Sequence, residues 1–192
     1  ITVGGVDIAD IKAESVRRNV GIVLQEPFLF SRSIADNIGI THEDLTLSDI
    51  REAARAACLD EAVEGFAKGY DTFVGERGVT LSGGQKQRAA IARMLTQSTP
   101  IMIFDDSLSA VDTESDAKIR RELESRFGSA TVILISHRIT TLQKADHIIV
   151  LDGGRISEQG THDELVAHGG IYSKIHSIQT MSDDTLTKEA AQ

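Results

Sequence analysis

The apolar run Ile101-Met102-Ile103-Phe104 ends in two adjacent carboxylates, Asp105-Asp106. A short and wholly apolar run reads as a buried strand, and buried strands belong to parallel sheets with helices on their faces. Ligands of open α/β sheets sit at the C-terminal ends of such strands, which is where the acidic pair falls. Carboxylates in that place suit Mg²⁺ and water. Earlier in the chain, Leu81-Ser82-Gly83-Gly84-Gln85 has the form of a helix start. Ser82 with Gln85 fits a capping box, and Ala89, Ala90, Ile91, Met94 and Leu95 follow at helical spacing. Two glycines in the first turn let a ligand approach the backbone, where unpaired N–H groups and the positive dipole end favour an anion. A phosphate is the expected partner.

LSGGQ followed by an apolar run and an acidic pair resembles the nucleotide-binding domain of ABC transporters. The resemblance extends to Gln25 after a strand at 20–24, to Ser109-Ala110-Val111-Asp112, and to His137 after a strand at 131–135, and it covers roughly residues 1–178. It implies an α/β fold: a P-loop NTPase (RecA-like) core sheet from residues 1–30 and 99–178, with an inserted α-helical subdomain, 31–98, that carries the signature motif. Residues 179–192 are polar and are expected to form a disordered tail. ATP and Mg²⁺ are the implied cofactors. The resemblance makes Asp105 the metal-side carboxylate, acting through a bound water, and brings Gln25 to the metal and the attacking water. It places Asp106 at the catalytic-base position and His137 at the γ-phosphate. Ser82, Gly83, Gly84 and Gln85 would face nucleotide, and Asp112 would lie in a loop crossing a dimer interface.

Partners follow from the same resemblance. The signature amides lie far in sequence from the carboxylate strand, and domains of this family pair head to tail, so that the signature of one caps the ATP held by the other. A homo- or heterodimer is therefore expected. Pro27-Phe28-Leu29-Phe30 and Val74-Gly75-Glu76-Arg77-Gly78 resemble the exporter loops that meet coupling helices of a transmembrane domain, which puts the domain at the cytoplasmic face of a membrane. Aspartate at 106 departs from the family's usual glutamate. Two readings stay open. Asp106 is a weak base in a shifted loop, or, as preferred, it marks the degenerate subunit of a heterodimeric exporter; His137 argues against complete loss of activity. Readings from other classes are a soluble ABC ATPase acting on DNA or chromosomes and a catalytically silent ATP clamp.

Composition bounds these readings. A chain of 192 residues with 41% hydrophobic residues suits one domain with a real core. A single cysteine excludes an internal disulfide, and Cys58 reads as a small buried hydrophobe on a helix capped by Ser48. No apolar run approaches the length of a membrane span, and no signal-peptide pattern opens the chain. Net charge −9 argues against nucleic acid. The other histidines lack metal-ligand spacing, so no zinc site is expected. No G-x-x-x-x-G-K-[ST] occurs. The expectation is a domain lacking its N-terminal strands and phosphate loop, which binds ATP weakly or not at all by itself and associates through the gap.

Overall fold

A computed structural model describes residues 1–42, 44–75, 80–97, 99–107, 113–126 and 130–190. The chain divides into two compact units, Ile1–Ile135 and Ser136–Gln192.

The first unit opens with a hairpin, β1 (Thr2–Val3) against β2 (Val6–Asp7). Helix α1 (Ala13–Asn19) leads into β3 (Val20–Val23). Four helices follow: α2 (Ile34–Gly39), α3 (Leu47–Ala56), α4 (Asp60–Glu64) and α5 (Gly83–Leu95). Then come β4 (Ile101–Asp105), α6 (Thr113–Arg126) and β5 (Thr131–Ile135). β4 is the central strand of a parallel three-stranded sheet, pairing Val23 with Phe104 on one side and Asp105 with Ile135 on the other.

Alternation along β4 sorts the sheet's faces. Met102 and Phe104 are buried, in one continuous core with Val23, Ile34, Ile38, Ile91 and Ile119. The helical residues and the three strands thus share a single core. Gly21 lets α5 pack flush on β3, since a Cβ there would come within 2.9 Å of Thr99 Oγ1 and 3.0 Å of Met94 Cγ. On the opposite face Ile22 and Ile133 occupy one row across the sheet, and both are exposed.

Two expectations about the helices are corrected. α3 is capped by Thr46 rather than Ser48, because Thr46 and Asp49 form a reciprocal capping box that starts the helix earlier. Cys58 lies beyond the end of α3 and is half-buried, with φ +55°. The backbone has already turned left-handed there, so Cys58 is not on the helix, although its side chain still packs against the main core as a small hydrophobe.

The second unit comprises α7 (Ile139–Leu142), the hairpin β6 (Ile148–Asp152) and β7 (Arg155–Gly160), α8 (His162–His168) and α9 (Ile171–Ala190). Thr161 and Glu164 form a capping box at the start of α8. A smaller core gathers Ile139, Ile148, Leu165 and Tyr172. Where the sequence reading has a polar tail from 179, the backbone stays helical to Ala190. No Gly or Pro interrupts α9, and Gln179 is anchored by two hydrogen bonds described below.

Candidate nucleotide-facing site

The first unit collects most of the expected residues at one end. Parallel strands deliver their C-terminal ends to a common edge. β4 ends there in Asp105, and β3 ends one residue before Leu24-Gln25. Asp105 and Asp106 are half-buried. The Asp106 N–H donates to the Ile135 carbonyl at 2.9 Å, continuing the sheet by one bond, while its φ of +42° turns the chain away. The following Ser107 is buried, and its hydroxyl has no partner among the described residues.

Helix α5 begins as the sequence predicts. Ser82 Oγ accepts from Gln85 N–H at 3.2 Å, and Gln85 Oε1 accepts from Ser82 N–H at 2.9 Å. Leu81 is buried and fixes the entry of the chain. The first intrahelical bond runs from Lys86 N–H to Ser82 O, so the N–H groups of Gly83 and Gly84 have no acceptor within the helix. Space around Gly83 is open: a Cβ built there meets nothing within 4 Å. Two amides at the positive end of a helix, with room for a group to approach, suit a phosphate.

The same helix grips the loop that carries Gln25. Gln87, buried one turn into α5, donates its Nε2 to the Gln25 carbonyl at 3.2 Å. Arg93, in the last turn, donates Nη1 to the Phe28 carbonyl at 3.0 Å, Nε to the Asn37 carbonyl at 2.7 Å and Nη2 to Asn37 Oδ1 at 3.1 Å. Asn37 in turn accepts from Phe30 N–H at 2.8 Å and donates to the Phe30 carbonyl at 2.9 Å. Burial pushes the Arg93 guanidinium below its ordinary pKa. Even so, arginine stays charged at neutral pH. Gln87 lies about 7.5 Å along the axis from Ser82. The capped helix start, Gln25 and the acidic pair therefore lie toward the same end of the unit.

Phe28 and Phe30 pack edge to face with centroids 5.0 Å apart, and both are exposed. Phe28 also borders a cavity with Leu24, Pro27, Arg93 and Met94. Two backbone bonds join this stretch to the segment between α4 and α5, Ile34 N–H to Thr72 O and Val74 N–H to Arg32 O.

His137 belongs to the second unit, where its imidazole is exposed. Asp112 and residues 109–111 lie outside the described residues, as does the Glu76-Arg77-Gly78 part of the second exporter-like loop. Among the described residues no three His, Cys, Asp or Glu side chains cluster as a metal site. The donors at the edge, an Asp105 carboxylate and a Gln25 amide oxygen, nevertheless fit Mg²⁺. That ion takes hard oxygen ligands and keeps several waters, needing only one or two protein groups beside substrate phosphates. Gln87, Arg93 and Asn37 went unread in the sequence, because their partners are backbone atoms 62, 65 and 7 residues away. The only signal was the presence of polar residues on an otherwise apolar helix face.

A parallel sheet that carries carboxylates at the C-terminal end of its central strand, with helices packed on one face, has the form of a P-loop NTPase core. The chain belongs to the ABC transporter family, whose sequence profile matches residues 1–109. An ATP-dependent lipid A-core flippase of Chromobacterium violaceum is 43% identical over 175 residues, covering 91% of this chain and 30% of the relative. An uncharacterized ABC transporter ATP-binding protein of Bacillus subtilis, YknU, is 44% identical over 179 residues, covering 93% of this chain and 31% of the relative. The solved structure of a bacterial Atm1-family ABC exporter with ATP bound matches with a TM-score of 0.88 at 39% identity, over 93% of this chain and 31% of that one. The chain thus spans about a third of the length of these relatives.

Proposed function

We propose that these residues serve in the ATP-binding and hydrolysing domain of an exporter, which converts ATP-driven pairing of two such domains into movement of membrane helices. The observation that carries this reading is the capped start of α5, with the free amides of Gly83 and Gly84, at the same end of the unit as Gln25, Asp105 and Asp106. Kinship with a flippase and with an exporter solved with ATP bound supports the exporter class.

The residues take distinct roles. Ser82, Gly83, Gly84 and Gln85 hold phosphate oxygens of the nucleotide seated on a partner domain, through backbone amides and the dipole end. Asp105, acting through a water, and Gln25 hold Mg²⁺, which when bound neutralises developing phosphate charge. Asp106 orients and deprotonates the attacking water, and His137 contacts the γ-phosphate. Asp112 lies at the interface between the paired domains. Asp106 favours slow hydrolysis at its own site, because its side chain is one methylene shorter than glutamate. The exposed Phe28 and Phe30 of the loop meet coupling helices of a transmembrane domain, which places the domain at the cytoplasmic face of a membrane. No helix among the described residues is long and apolar enough to cross a bilayer itself.

The test is Mg-ATP calorimetry and hydrolysis by the full-length protein, compared with its Asp105→Asn and Ser82→Arg variants. The expected result is Mg-dependent hydrolysis lost in Asp105→Asn, and ATP-dependent pairing lost in Ser82→Arg while binding persists. Hydrolysis and pairing untouched by both changes would overturn the reading.

A further inference from the structure

We propose that Gln179, near the middle of α9, is a positioning residue for His137. The proposal rests on the reading of His137 as the γ-phosphate contact. The side-chain amide of Gln179 lies across the turn that leads into α7. Its Oε1 accepts from the Ile139 N–H at 2.9 Å, and its Nε2 donates to the His137 carbonyl at 2.7 Å. One amide therefore satisfies a donor and an acceptor on either side of Arg138, as a neighbouring strand would.

The turn needs such a partner. Ile139 is the first residue of α7, and Arg138 before it supplies no side-chain cap, so the Ile139 N–H belongs to the unpaired set at a helix start. Ile139 itself is buried in the second core, where an unpaired amide is costly. Within the turn, Arg138 N–H donates to Ser136 Oγ at 3.0 Å. Residues 136–139 are thereby held by one local bond and by both ends of the Gln179 amide, leaving the exposed His137 ring as the group the turn presents. Only a side chain of this length with both a donor and an acceptor at its tip can make the pair of bonds. Glutamate keeps the acceptor for Ile139 and loses the donor to His137. Alanine loses both.

The experiment uses the full-length protein with Gln179→Ala, Gln179→Glu, His137→Ala and the His137→Ala/Gln179→Ala pair. It reads hydrogen exchange of the Ile139 amide, together with kcat and KM for ATP. In Gln179→Ala the Ile139 amide is expected to exchange about five- to tenfold faster, while amides of β6 and β7 keep their rates. The same variant should lose roughly tenfold in kcat with KM within about twofold, since a displaced contact costs turnover more than binding. Gln179→Glu should keep Ile139 protected and fall between in kcat. In the His137→Ala background, Gln179→Ala should cost little further kcat, because both changes act through one group. Unchanged Ile139 exchange in Gln179→Ala overturns the proposal, as does full additivity of the two kcat losses. If His137→Ala leaves turnover intact, the role assigned to His137 fails instead, and the exchange rates still decide whether Gln179 holds the turn.

Discussion

At residue 106 the backbone takes φ +42° immediately after a buried strand, a conformation that aspartate and asparagine tolerate better than most side chains. This backbone demand sits beside a chemical one. A general base must place its oxygens near the attacking water, and a misplacement of about 1 Å can cost around a hundredfold in rate. Asp106→Glu sets the two demands against each other: the added methylene restores reach, while the left-handed backbone costs about 1 kcal/mol more. Because the first effect exceeds the second, turnover at the site built on this residue is expected to rise by about tenfold or more. An ATPase assay of the full-length variant checks it, and unchanged turnover would mean that the base was never limiting. Gly75 shows a purely steric demand. With φ +116° and a would-be Cβ 2.6 Å from Ser31 Oγ, Gly75→Ala should lower stability by about 1–3 kcal/mol in denaturant titrations. At this scale the pair Ser82 and Gln85 was readable because the partners lie three residues apart, whereas at α3 the equally close pair Thr46 and Asp49 competes with Ser48 for the cap. Cys58 packs on the core as the small hydrophobe the sequence suggests, but the left-handed turn that takes it off α3 has no signature in the residue itself.

Helix α5 joins its capped start to the Gln25 loop through side chains directed at backbone carbonyls. Arg93→Ala would strip partners from Phe28 O, Asn37 O and Asn37 Oδ1 in a partly buried setting, costing about 2–4 kcal/mol by chemical denaturation. Arg93→Lys should rescue little of it, since a single ammonium cannot reproduce the planar fork that reaches all three acceptors. α4 carries a different kind of link. Asp60 accepts from Tyr70 Oη at 2.5 Å and from Arg55 Nε at 3.0 Å. Desolvation works to raise the Asp60 pKa, but these two hydrogen bonds together with the charges of Arg55 and Arg51 outweigh it and hold the carboxyl below its ordinary 3.8. Burial and the bond to Asp60 push the Tyr70 phenol up. A depressed carboxyl contributes stability that is present above its unfolded pKa and is lost as pH falls through its folded pKa. Asp60→Asn should therefore be less stable than the parent at pH 7, with the gap closing below pH 3.8. Denaturant midpoints at the two ends of that range check the sign. Helical periodicity announced most of these elements, but it could not announce the grip of α5 on the loop, which joins residues 62 and 65 apart in the chain.

For the whole molecule, the distribution of apolar burial decides how the chain comes apart. The first unit builds one core in which Val23, Met102 and Phe104 of the sheet pack with residues from α2, α3, α5 and α6. The second unit depends on Ile139, Ile148, Leu165 and Tyr172, with partly buried neighbours such as Leu142 and Val150. Small cores leave little stability once conformational entropy is subtracted. The unit at Ser136–Gln192 should therefore open at lower free energy than Ile1–Ile135, as a cooperative block of its own. The turn bearing His137 lies in this weaker block, and the carboxylates of β4 lie in the stronger one. Two truncations separate the blocks. Leu165→Ala removes a side chain that is 3% exposed and should cost about 2–5 kcal/mol, felt as faster native-state hydrogen exchange across β6, β7 and α8 with β3 and β4 unchanged. Phe104→Ala, at a residue 1% exposed, should cost about 3–5 kcal/mol and speed exchange through β3, β4 and α5. Matching acceleration of every amide by either change would show a single cooperative fold, and would make the small second core as strong as the molecule that carries it.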